Sequence, residues 1–395
     1  MFEGPSASLQ EQAVHARRHH AAARSPRRAV LVIAGTRPEC IKLAPIVREL
    51  SHRRSMTGTV VNSGQHAEAV RRTFGEFGIR CDVDLPPMLP APNLVAASRN
   101  LTGQLRAAIE RHHPSLVLVQ GDTLTAYAGA RAATEAGCPV VHVEAGLRAP
   151  TVSDPFPEEW FRRQIATRTH FHFTPCESAH MNLLAEGTPP ERIYRVGNTG
   201  IDSLRALLAQ DSFRTARPSA RTQVLVTLHR RENWDGKADI ICDALIALSE
   251  LRPDLNMLVP VHPNPRIAPR IRHRLSGHPR FALVAPMAYR EFIAAAANAA
   301  LVISDSGGIQ EEVPHLGVPL LVPRSCTERP EGVATGFVRL VAVDRDEIVR
   351  EALSMLSAPP SAPLPFDHAA PFGDGAAATR IVDVLEAELA DALAA

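Results

Sequence analysis

Residues 139–148 read PVVHVEAGLR, an apolar run that stops at Glu144. A β-branched run that closes on a carboxylate and a glycine is typical of a parallel strand that delivers a side chain to the carboxyl edge of its sheet. A loop then leads to Pro157, Glu158 and Glu159, a pattern that predicts the first turn of a helix. Acids from two successive elements would meet in one cleft, as proton transfer requires. The alternative is that Glu144 caps a strand and Glu158 caps a helix, with no further role.

Alternating apolar strands and helical stretches run through most of the chain, in two series separated by a glycine-containing turn near residue 200. This pattern predicts an α/β fold with two Rossmann-like, doubly wound domains that face each other across a central cleft. We expect a flexible basic leader (1–28), an N-terminal domain with the acid–base residues (29–199), a C-terminal domain (200–372) and a last helix that packs back across the domains (373–395).

Composition excludes several classes of function. The chain has 395 residues and a net charge of +1, which suits two domains and gives no global case for nucleic-acid binding. We find no apolar run long enough to cross a membrane. The six cysteines are dispersed without a Cys-x-x-Cys pair, so we expect reduced thiols in the cytoplasm and no metal site. No Gly-x-Gly-x-x-Gly or Walker motif is present, so neither a nicotinamide cofactor nor ATP is indicated.

Further candidate residues also follow predicted strands. Asp122 comes after the apolar run 115–120, in the same position relative to its strand as Glu144. Arg37 and Lys42 lie near a predicted helix N-terminus, where anions collect, although two solvated surface cations would give the same pattern. His229 with Arg230 after another strand is suited to the charge of a leaving group. A histidine at a strand end is more often simply held by a hydrogen bond, and the same caution applies to His262.

A glycine-rich turn gives the clearest anion site. Ser306, Gly307 and Gly308 lie between a predicted strand and a helix, where the backbone can approach a phosphate and free N–H groups point at it. Arg329 would bind the same diphosphate with two hydrogen bonds. Glu312 would accept from ribose hydroxyls. The alternatives are a tight turn that only packs strand against helix, and an acid favoured by the helix dipole.

Seven short motifs occur in order: GTRPE (35–39), GDT (121–123), HVEAGLR (142–148), PEE (157–159), HRRE (229–232), DSGGIQEE (305–312) and TERPE (327–331). From about residue 29 to the last helix, the chain resembles the non-hydrolysing UDP-N-acetylglucosamine 2-epimerases. The resemblance implies a glycosyltransferase-B-like fold, a homodimer, and interconversion of UDP-GlcNAc and UDP-ManNAc without a cofactor. It also implies anti elimination of UDP to a 2-acetamidoglucal, followed by re-addition of UDP.

The resemblance assigns roles residue by residue, and makes 200–372 the UDP-binding domain. The acid–base group would be Asp122, Glu144 and Glu158, with His229 assisting on the UDP side. Which acid removes the proton stays open. The residues that would bind the UDP-sugar are Arg37, Lys42, Gln65, His66, Arg162, Arg230, His262, Ser306, Gly307, Gly308, Glu312 and Arg329.

Three other functions stay open at this stage. A glycosyltransferase of the same two-domain shape would need an acceptor pocket, and an epimerase of this kind could act on a different UDP-2-acetamido sugar. A catalytically silent nucleotide-sugar binding protein is the third, and the intact trio of acids argues against it.

The sequence departs from the family pattern in a few places. Phe161 stands where asparagine is common, although Arg162 remains, and Ala67 stands where arginine is common. Residues 91–93 read Ala-Pro-Asn where many bacterial members carry an Arg-Gln pair. In those enzymes this region joins counterparts of Gln65, His66, Arg230 and His262 in a regulatory site for a second UDP-GlcNAc.

We therefore predict near-hyperbolic kinetics, and a reverse reaction from UDP-ManNAc that needs no added UDP-GlcNAc. Each lost charge-assisted hydrogen bond is worth roughly 1.5–3 kcal/mol, comparable to a whole coupling free energy between two sites. Initial rates against substrate concentration in both directions test this. A strongly sigmoidal curve, or a reverse reaction that starts only when UDP-GlcNAc is added, would show that the remaining four residues rebuild the site.

Overall fold

The computed structural model describes residues 28–152, 155–210, 213, 222–234, 236–358, 362–367 and 369–391. The predicted leader lies outside the described residues, except that Arg28 begins the first strand. The described chain forms two sheets whose strand pairs are all parallel, and helices cover both faces of each sheet. The predicted α/β class with two doubly wound domains is confirmed.

The first sheet has seven strands in the order β3-β2-β1-β4-β5-β6-β7. Its strands are β1 (Arg28–Ala34), β2 (Met56–Asn62), β3 (Val83–Asp84), β4 (Leu116–Gln120), β5 (Val140–Val143), β6 (Phe171–Thr174) and β7 (Ile193–Arg195). Its helices are α1 (Arg37–His52), α2 (Ala67–Glu76), α3 (Leu94–His112), α4 (Leu124–Glu135), α5 (Glu158–Ala166) and α6 (Glu177–Ala185), with a 3₁₀ turn at Pro190–Arg192.

The second sheet has six strands in the order β10-β9-β8-β11-β12-β13. Its strands are β8 (Gln223–Thr227), β9 (Asn256–Pro260), β10 (Phe281–Val284), β11 (Leu301–Ser304), β12 (Leu320–Pro323) and β13 (Val338–Val341). The remaining helices are α7 (Thr199–Leu208), α8 (Lys237–Leu251), α9 (Ala268–Leu275), α10 (Tyr289–Asn298), α11 (Gly307–Leu316), α12 (Pro330–Ala334), α13 (Arg345–Ser357) and α14 (Ala377–Asp391), with a 3₁₀ turn at Arg231–Asn233.

The strand sequences explain why both faces of each sheet are covered. In β1, every residue from Val30 to Ala34 is fully buried, and β4 is an unbroken buried run. Parallel strands with helices on both sides read as continuous apolar runs of this kind, without polar alternation. Helices α1 and α14 pack on one face of the first sheet, and α3, α4 and α5 pack on the other.

The last helix returns to the first sheet. Its apolar residues Ile381, Val382 and Leu385 join the core that β1 and α1 form. The carboxylate of Asp202 in α7 accepts hydrogen bonds from the backbone N–H groups of Ala377 (3.2 Å) and Ala378 (2.8 Å) at its N-terminus. An acid at a helix N-terminus satisfies donors that have no partner within the helix.

Strand order reverses between β1 and β4 in the first sheet, and between β8 and β11 in the second. Each reversal leaves a crevice at the carboxyl ends of the strands, where ligands of such sheets bind. The two crevices are the parts of the fold that matter for function. No helix in the described ranges is both long enough and apolar enough to cross a bilayer.

Candidate active site

The two crevices face each other. In the first sheet, β4 and β5 are neighbours, and the turns after them carry Asp122 and Glu144. In the second, His229 follows β8. Arg329, at the start of α12, donates a hydrogen bond of 3.0 Å from its NH2 group to Glu144 Oε1. This bond joins the two domains across the cleft.

Glu144 has the most constrained carboxylate of the cleft. Its backbone has φ of +64°, in the left-handed region that side chains other than glycine rarely adopt. Holding a glutamate there costs on the order of 1–3 kcal/mol. Its side chain is only 9% exposed, and it forms an ion pair with Lys42. It also accepts a hydrogen bond of 2.6 Å from Gln120 Nε2. The backbone of Glu144 is strained and both of its carboxylate oxygens have partners. Such a residue indicates that the surrounding structure fixes the position of the side chain.

A second buried carboxylate completes this network. Glu311 in α11 accepts from Arg329 Nε, and from Asn198 Nδ2 at 2.7 Å. Lys42 Nζ lies 3.7 Å from Glu311 Oε2 as well as beside Glu144. Burial lowers the pKa of Lys42, but the two carboxylates outweigh it, so the pKa is raised overall and the ammonium stays charged. Two buried cations and two buried acids thus compensate each other.

Asp122 is held by a different arginine. Its carboxylate forms an ion pair with Arg162 of α5 while remaining 28% exposed, so it faces the cleft. Arg162 NH1 also donates to Glu159 Oε2 at 3.1 Å, and Glu159 accepts from Ala149 N at 2.9 Å. Burial lowers the pKa of Arg162, but Asp122 and other acids outweigh it and raise the pKa overall.

Glu158 and Glu159 are adjacent in sequence, but they lie in different environments. Glu159 is fully buried and bound to Arg162 and Arg163. Glu158 is half-buried at the start of α5, and it has no hydrogen-bond or ion-pair partner among the described residues. Of the two acids, Glu158 is therefore the one whose carboxylate is not already bound by a neighbouring arginine in the described part of the chain.

His229 is fixed by Asp305. His229 Nδ1 lies 2.9 Å from Asp305 Oδ1. The carboxylate also accepts from the backbone N–H of Arg230 (3.0 Å) and from Asn233 Nδ2 (3.0 Å). Burial alone would raise the pKa of Asp305, but His229 and these donors lower it to about 2. An ionised Asp305 requires a proton on Nδ1, which leaves Nε2 for a ligand.

The predicted anion site lies at the N-terminus of α11. Ser306 is the N-cap and makes no side-chain capping hydrogen bond within the described chain, so the first N–H groups of the helix stay available. A Cβ atom at Gly307 would lie 2.6 Å from NH1 of Arg329 and 3.2 Å from NH2 of Arg230. Glycine at this position leaves room for two guanidinium groups to lie directly against the backbone.

Arg37 and Glu312 come together from opposite domains. Glu312 accepts from the hydroxyl of Tyr289 at 2.8 Å, and the backbone N–H of Tyr289 donates to Glu76 Oε2 at 2.9 Å. Burial raises the pKa of Glu312 to about 7. Burial also lowers the pKa of Arg37, which lies close enough to Glu76 and Glu312 for both acids to oppose that shift.

The remaining candidates divide into two groups. Gln65 Oε1 accepts from the backbone N–H (3.1 Å) and the hydroxyl (2.7 Å) of Thr125, so its oxygen is used to hold a helix start. His262 lies near both His66 and His229, and the His262 and His229 rings are stacked with centroids 6.5 Å apart. Burial lowers the pKa of both His66 and His262. Neutral imidazoles therefore line this side of the cleft.

The structure reveals an acid that the sequence analysis did not select. Glu39, in the first turn of α1, is fully buried. Its Oε2 accepts from the Gly35 N–H (3.0 Å) and the Thr36 hydroxyl (2.7 Å), and its Oε1 accepts from the Thr123 hydroxyl (2.7 Å). Burial raises the pKa of Glu39 to about 7, although these donors lower it in part. Glu39 thus forms hydrogen bonds with both the turn beside Arg37 and the turn beside Asp122.

Other side chains that hold the candidate residues in place were not selected from the sequence either. They are Gln120, Glu159, Asn198, Asp305, Glu311 and Glu328, the last of which pairs with Arg230 and Arg329. A polar residue ending the apolar strand β4 was an available signal for Gln120, and an acid directly after β11 was one for Asp305. For Glu311 the sequence signal was ambiguous, because the next residue, Glu312, is also an acid. Both are buried in α11.

The described part of the chain contains no group of three or more His, Cys, Asp or Glu side chains arranged to hold a metal ion. All six cysteines are free.

Residues 48–386 match the family model described as UDP-N-acetylglucosamine 2-epimerase. The chain belongs to this family of isomerases. The resemblance drawn from the motifs is therefore confirmed, and so is the enzyme class.

The similarity of this chain to individual epimerases extends over nearly their whole length. The chain is 38% identical over 372 residues to a probable UDP-N-acetylglucosamine 2-epimerase of Ralstonia nicotianae, covering 91% of this chain and 99% of that protein. The crystal structure of the Neisseria meningitidis epimerase bound to UDP-GlcNAc has a TM-score of 0.84 and 34% identity, covering 90% and 99% of the two chains. The Methanocaldococcus jannaschii epimerase in complex with UDP-GlcNAc and UDP has a TM-score of 0.80 and 31% identity, covering 91% and 99%.

The raised pKa of Glu39 gives a testable dependence of stability on pH. Between its ordinary pKa of 4.5 and about 7, the folded epimerase keeps a proton on Glu39 that the unfolded chain releases. The contribution to stability is fully present below pH 4.5 and is lost as pH rises through 7. Glu39→Gln has no such proton, so its unfolding free energy relative to the wild type should rise by about 2–3 kcal/mol from pH 5 to pH 8.

Chemical denaturation at several pH values measures this difference. Ser63→Ala is the control, because it removes a buried neutral hydroxyl bound to Thr125 from the same region. Its difference from the wild type should be the same at every pH. If the Glu39→Gln difference were equally flat, Glu39 would not hold the extra proton.

Proposed function

We propose that this protein interconverts UDP-GlcNAc and UDP-ManNAc by 2-epimerisation without hydrolysis, with no added cofactor. The observation that carries the proposal is the convergence of Asp122 and Glu144 from neighbouring strand ends, opposite the N-terminus of α11. Acid–base groups then lie on one side of the cleft and a diphosphate site on the other. UDP-GlcNAc bound to the Neisseria meningitidis relative supports the same substrate class here.

The chemistry of the sugar explains why both sides are needed. Carbon 2 of UDP-GlcNAc carries no acidic proton, so its loss has to accompany or follow the departure of UDP. Anti elimination breaks the C1–O bond to UDP and the C2–H bond on opposite faces and leaves a 2-acetamidoglucal. Return of UDP with protonation of C2 from the other face gives the epimer. Acids on both faces of the sugar would perform the two proton transfers.

We assign the acid–base group to Asp122, Glu144 and Glu158. The placement of Glu144 between Lys42 and Arg329, at the end of β5, supports a fixed position for its carboxylate in the cleft. The half-buried carboxyl of Glu158, which no arginine or lysine binds in the described part of the chain, supports contact with a ligand. The partial exposure of Asp122 supports contact with the sugar.

The diphosphate would lie at the start of α11. The open N–H groups after Ser306, with Gly307 and Gly308, suit an anion, and Arg230 lies against the same turn. His229, oriented by Asp305, would stabilise or protonate the departing UDP through Nε2. Glu312 would accept from the ribose hydroxyls. Arg37, Lys42, Gln65, His66, Arg162, His262 and Arg329 would complete the substrate site.

We also infer that the enzyme works in the cytoplasm as a homodimer. Six free cysteines suit a reducing compartment. Large apolar side chains at Leu89 (76% exposed) and Val95 (66% exposed) are consistent with a surface that another copy covers. The resemblance to dimeric epimerases is the main support for this assembly.

Incubation of the enzyme with UDP-GlcNAc in deuterated water tests the reaction. We expect deuterium at carbon 2 and appearance of UDP-ManNAc, without added NAD or metal, measured by NMR. A glycosyltransferase would leave carbon 2 unlabelled, and a binding protein would change nothing. Labelling of another UDP-2-acetamido sugar, with UDP-GlcNAc untouched, would keep the chemistry and correct the substrate.

Substitution of the three acids tests their assignment. Asp122→Asn, Glu144→Gln and Glu158→Gln should each reduce turnover by a factor on the order of 10²–10⁴, the usual range for acid–base groups. UDP binding, measured by calorimetry, should persist because the diphosphate is held elsewhere. Glu135→Gln is the control, since this acid forms a partly exposed ion pair with Arg131 within α4. Ordinary turnover in all three variants would overturn the assignment.

A further inference from the structure

The turn that carries Asp122 is supported from both sides by buried side chains. Asp122 lies between Gly121, which has φ of +70°, and Thr123, the N-cap of α4. The Gly121 N–H donates to Val143 O at 3.0 Å. Gly121 accepts one further hydrogen bond from a buried side chain, and Thr123 donates one to another. These two groups are His142 and Glu39.

Glu39 supports the turn from the α1 side. Its Oε1 accepts from the Thr123 hydroxyl at 2.7 Å, and the same hydroxyl oxygen accepts from Ala126 N at 3.0 Å. The hydroxyl is therefore oriented by the carboxylate and in turn starts helix α4. Because Glu39 Oε2 is bound to Gly35 and Thr36, the carboxyl cannot shift without breaking the β1–α1 turn.

His142 supports the turn from the β5 side. Its Nε2 lies 2.8 Å from the carbonyl oxygen of Gly121. A carbonyl only accepts, so Nε2 must carry the proton and donate. The side chain is 1% exposed, and burial lowers its pKa to about 4, so it is a neutral donor at ordinary pH. Its Nδ1 has no hydrogen-bond partner in the described part of the chain.

We propose that Glu39 and His142 are positioning residues that fix the carboxylate of Asp122 for proton transfer. The inference rests on the proposed function, in which Asp122 belongs to the acid–base group. Arg162 binds the Asp122 carboxylate, but an ion pair to the side chain does not itself fix the backbone of the turn. The bonds to Thr123 and Gly121 fix that backbone on either side. A displacement of about 1 Å at a reacting group costs up to about 100-fold in rate.

Amide substitutions separate positioning from packing. The amide nitrogen of Gln reaches the Nε2 position of histidine, whereas that of Asn reaches only Nδ1. His142→Gln should keep kcat within about threefold of the wild type, and His142→Asn should lower it by roughly 10–100-fold. In both variants, KM and the Kd for UDP should change little. Likewise, Glu39→Gln keeps an oxygen and a polar partner for Thr123, and should retain far more kcat than Glu39→Leu.

His172→Asn is the matched control. His172 lies directly beside His142 on β6 and is equally buried, but within the described part of the chain it forms no hydrogen bond to the Gly121 carbonyl. His172→Asn should lower the melting temperature about as much as His142→Asn does. Its kcat per folded molecule should equal that of the wild type, with the folded molecules counted by titration with UDP. The proposal would be wrong if His142→Asn kept full kcat, if the Gln variants fell as far as Asn and Leu, or if His172→Asn lost kcat equally. A wild type that places no deuterium at carbon 2 would refute the proposed function instead.

Discussion

A carboxylate held out of water between two cations is the interaction on which this cleft depends. Glu144 is placed at the sheet edge by β5, and a charge removed from water there has to be paired. Lys42 pairs it from its own domain and Arg329 from the other. Removing one partner of a buried ion pair typically costs about 3–5 kcal/mol. The pairing therefore sets how closely the two domains approach, and Glu311 secures Arg329 in that position.

The other buried acids are stabilised in the protein interior in different ways. Asp305 stays ionised, with a pKa of about 2, because His229 and several N–H groups surround it. Glu39 and Glu312 have neutral hydroxyl and amide donors as their nearest partners, and burial raises the pKa of each to about 7. Different surroundings give chemically identical groups different pKa values, and the groups can then take different roles in one site. Here, the acid with the lowered pKa orients His229, and the two with raised pKa values support turns and contacts between the domains.

Residues at strand ends were predictable from sequence, and their distant partners were not. An apolar run that stops at an acid is a local signal, so Asp122 and Glu144 were selected and the sheet brings them together. Glu39 carried no such signal, because its role depends on Thr123 in another βα unit. Strands β3 and β13 carry weak sequence signals, since the first has two residues and the second is a four-residue run interrupted by Arg339. Contacts across the cleft follow from the packing of two domains, which no local pattern encodes.

The two domains contribute different groups to the site, and the contact between them also compensates charge. The N-terminal domain supplies the acids at its strand ends, and the C-terminal domain supplies the helix N-terminus, His229 and Arg329. The Arg329–Glu144 hydrogen bond and the approach of Lys42 to Glu311 both cross the domain boundary, so they exist only while the two domains are in contact. Exclusion of water from such a contact strengthens every charge interaction inside it. Glu144 and Glu311 therefore have all their charged partners only in the arrangement that brings the two halves of the site together.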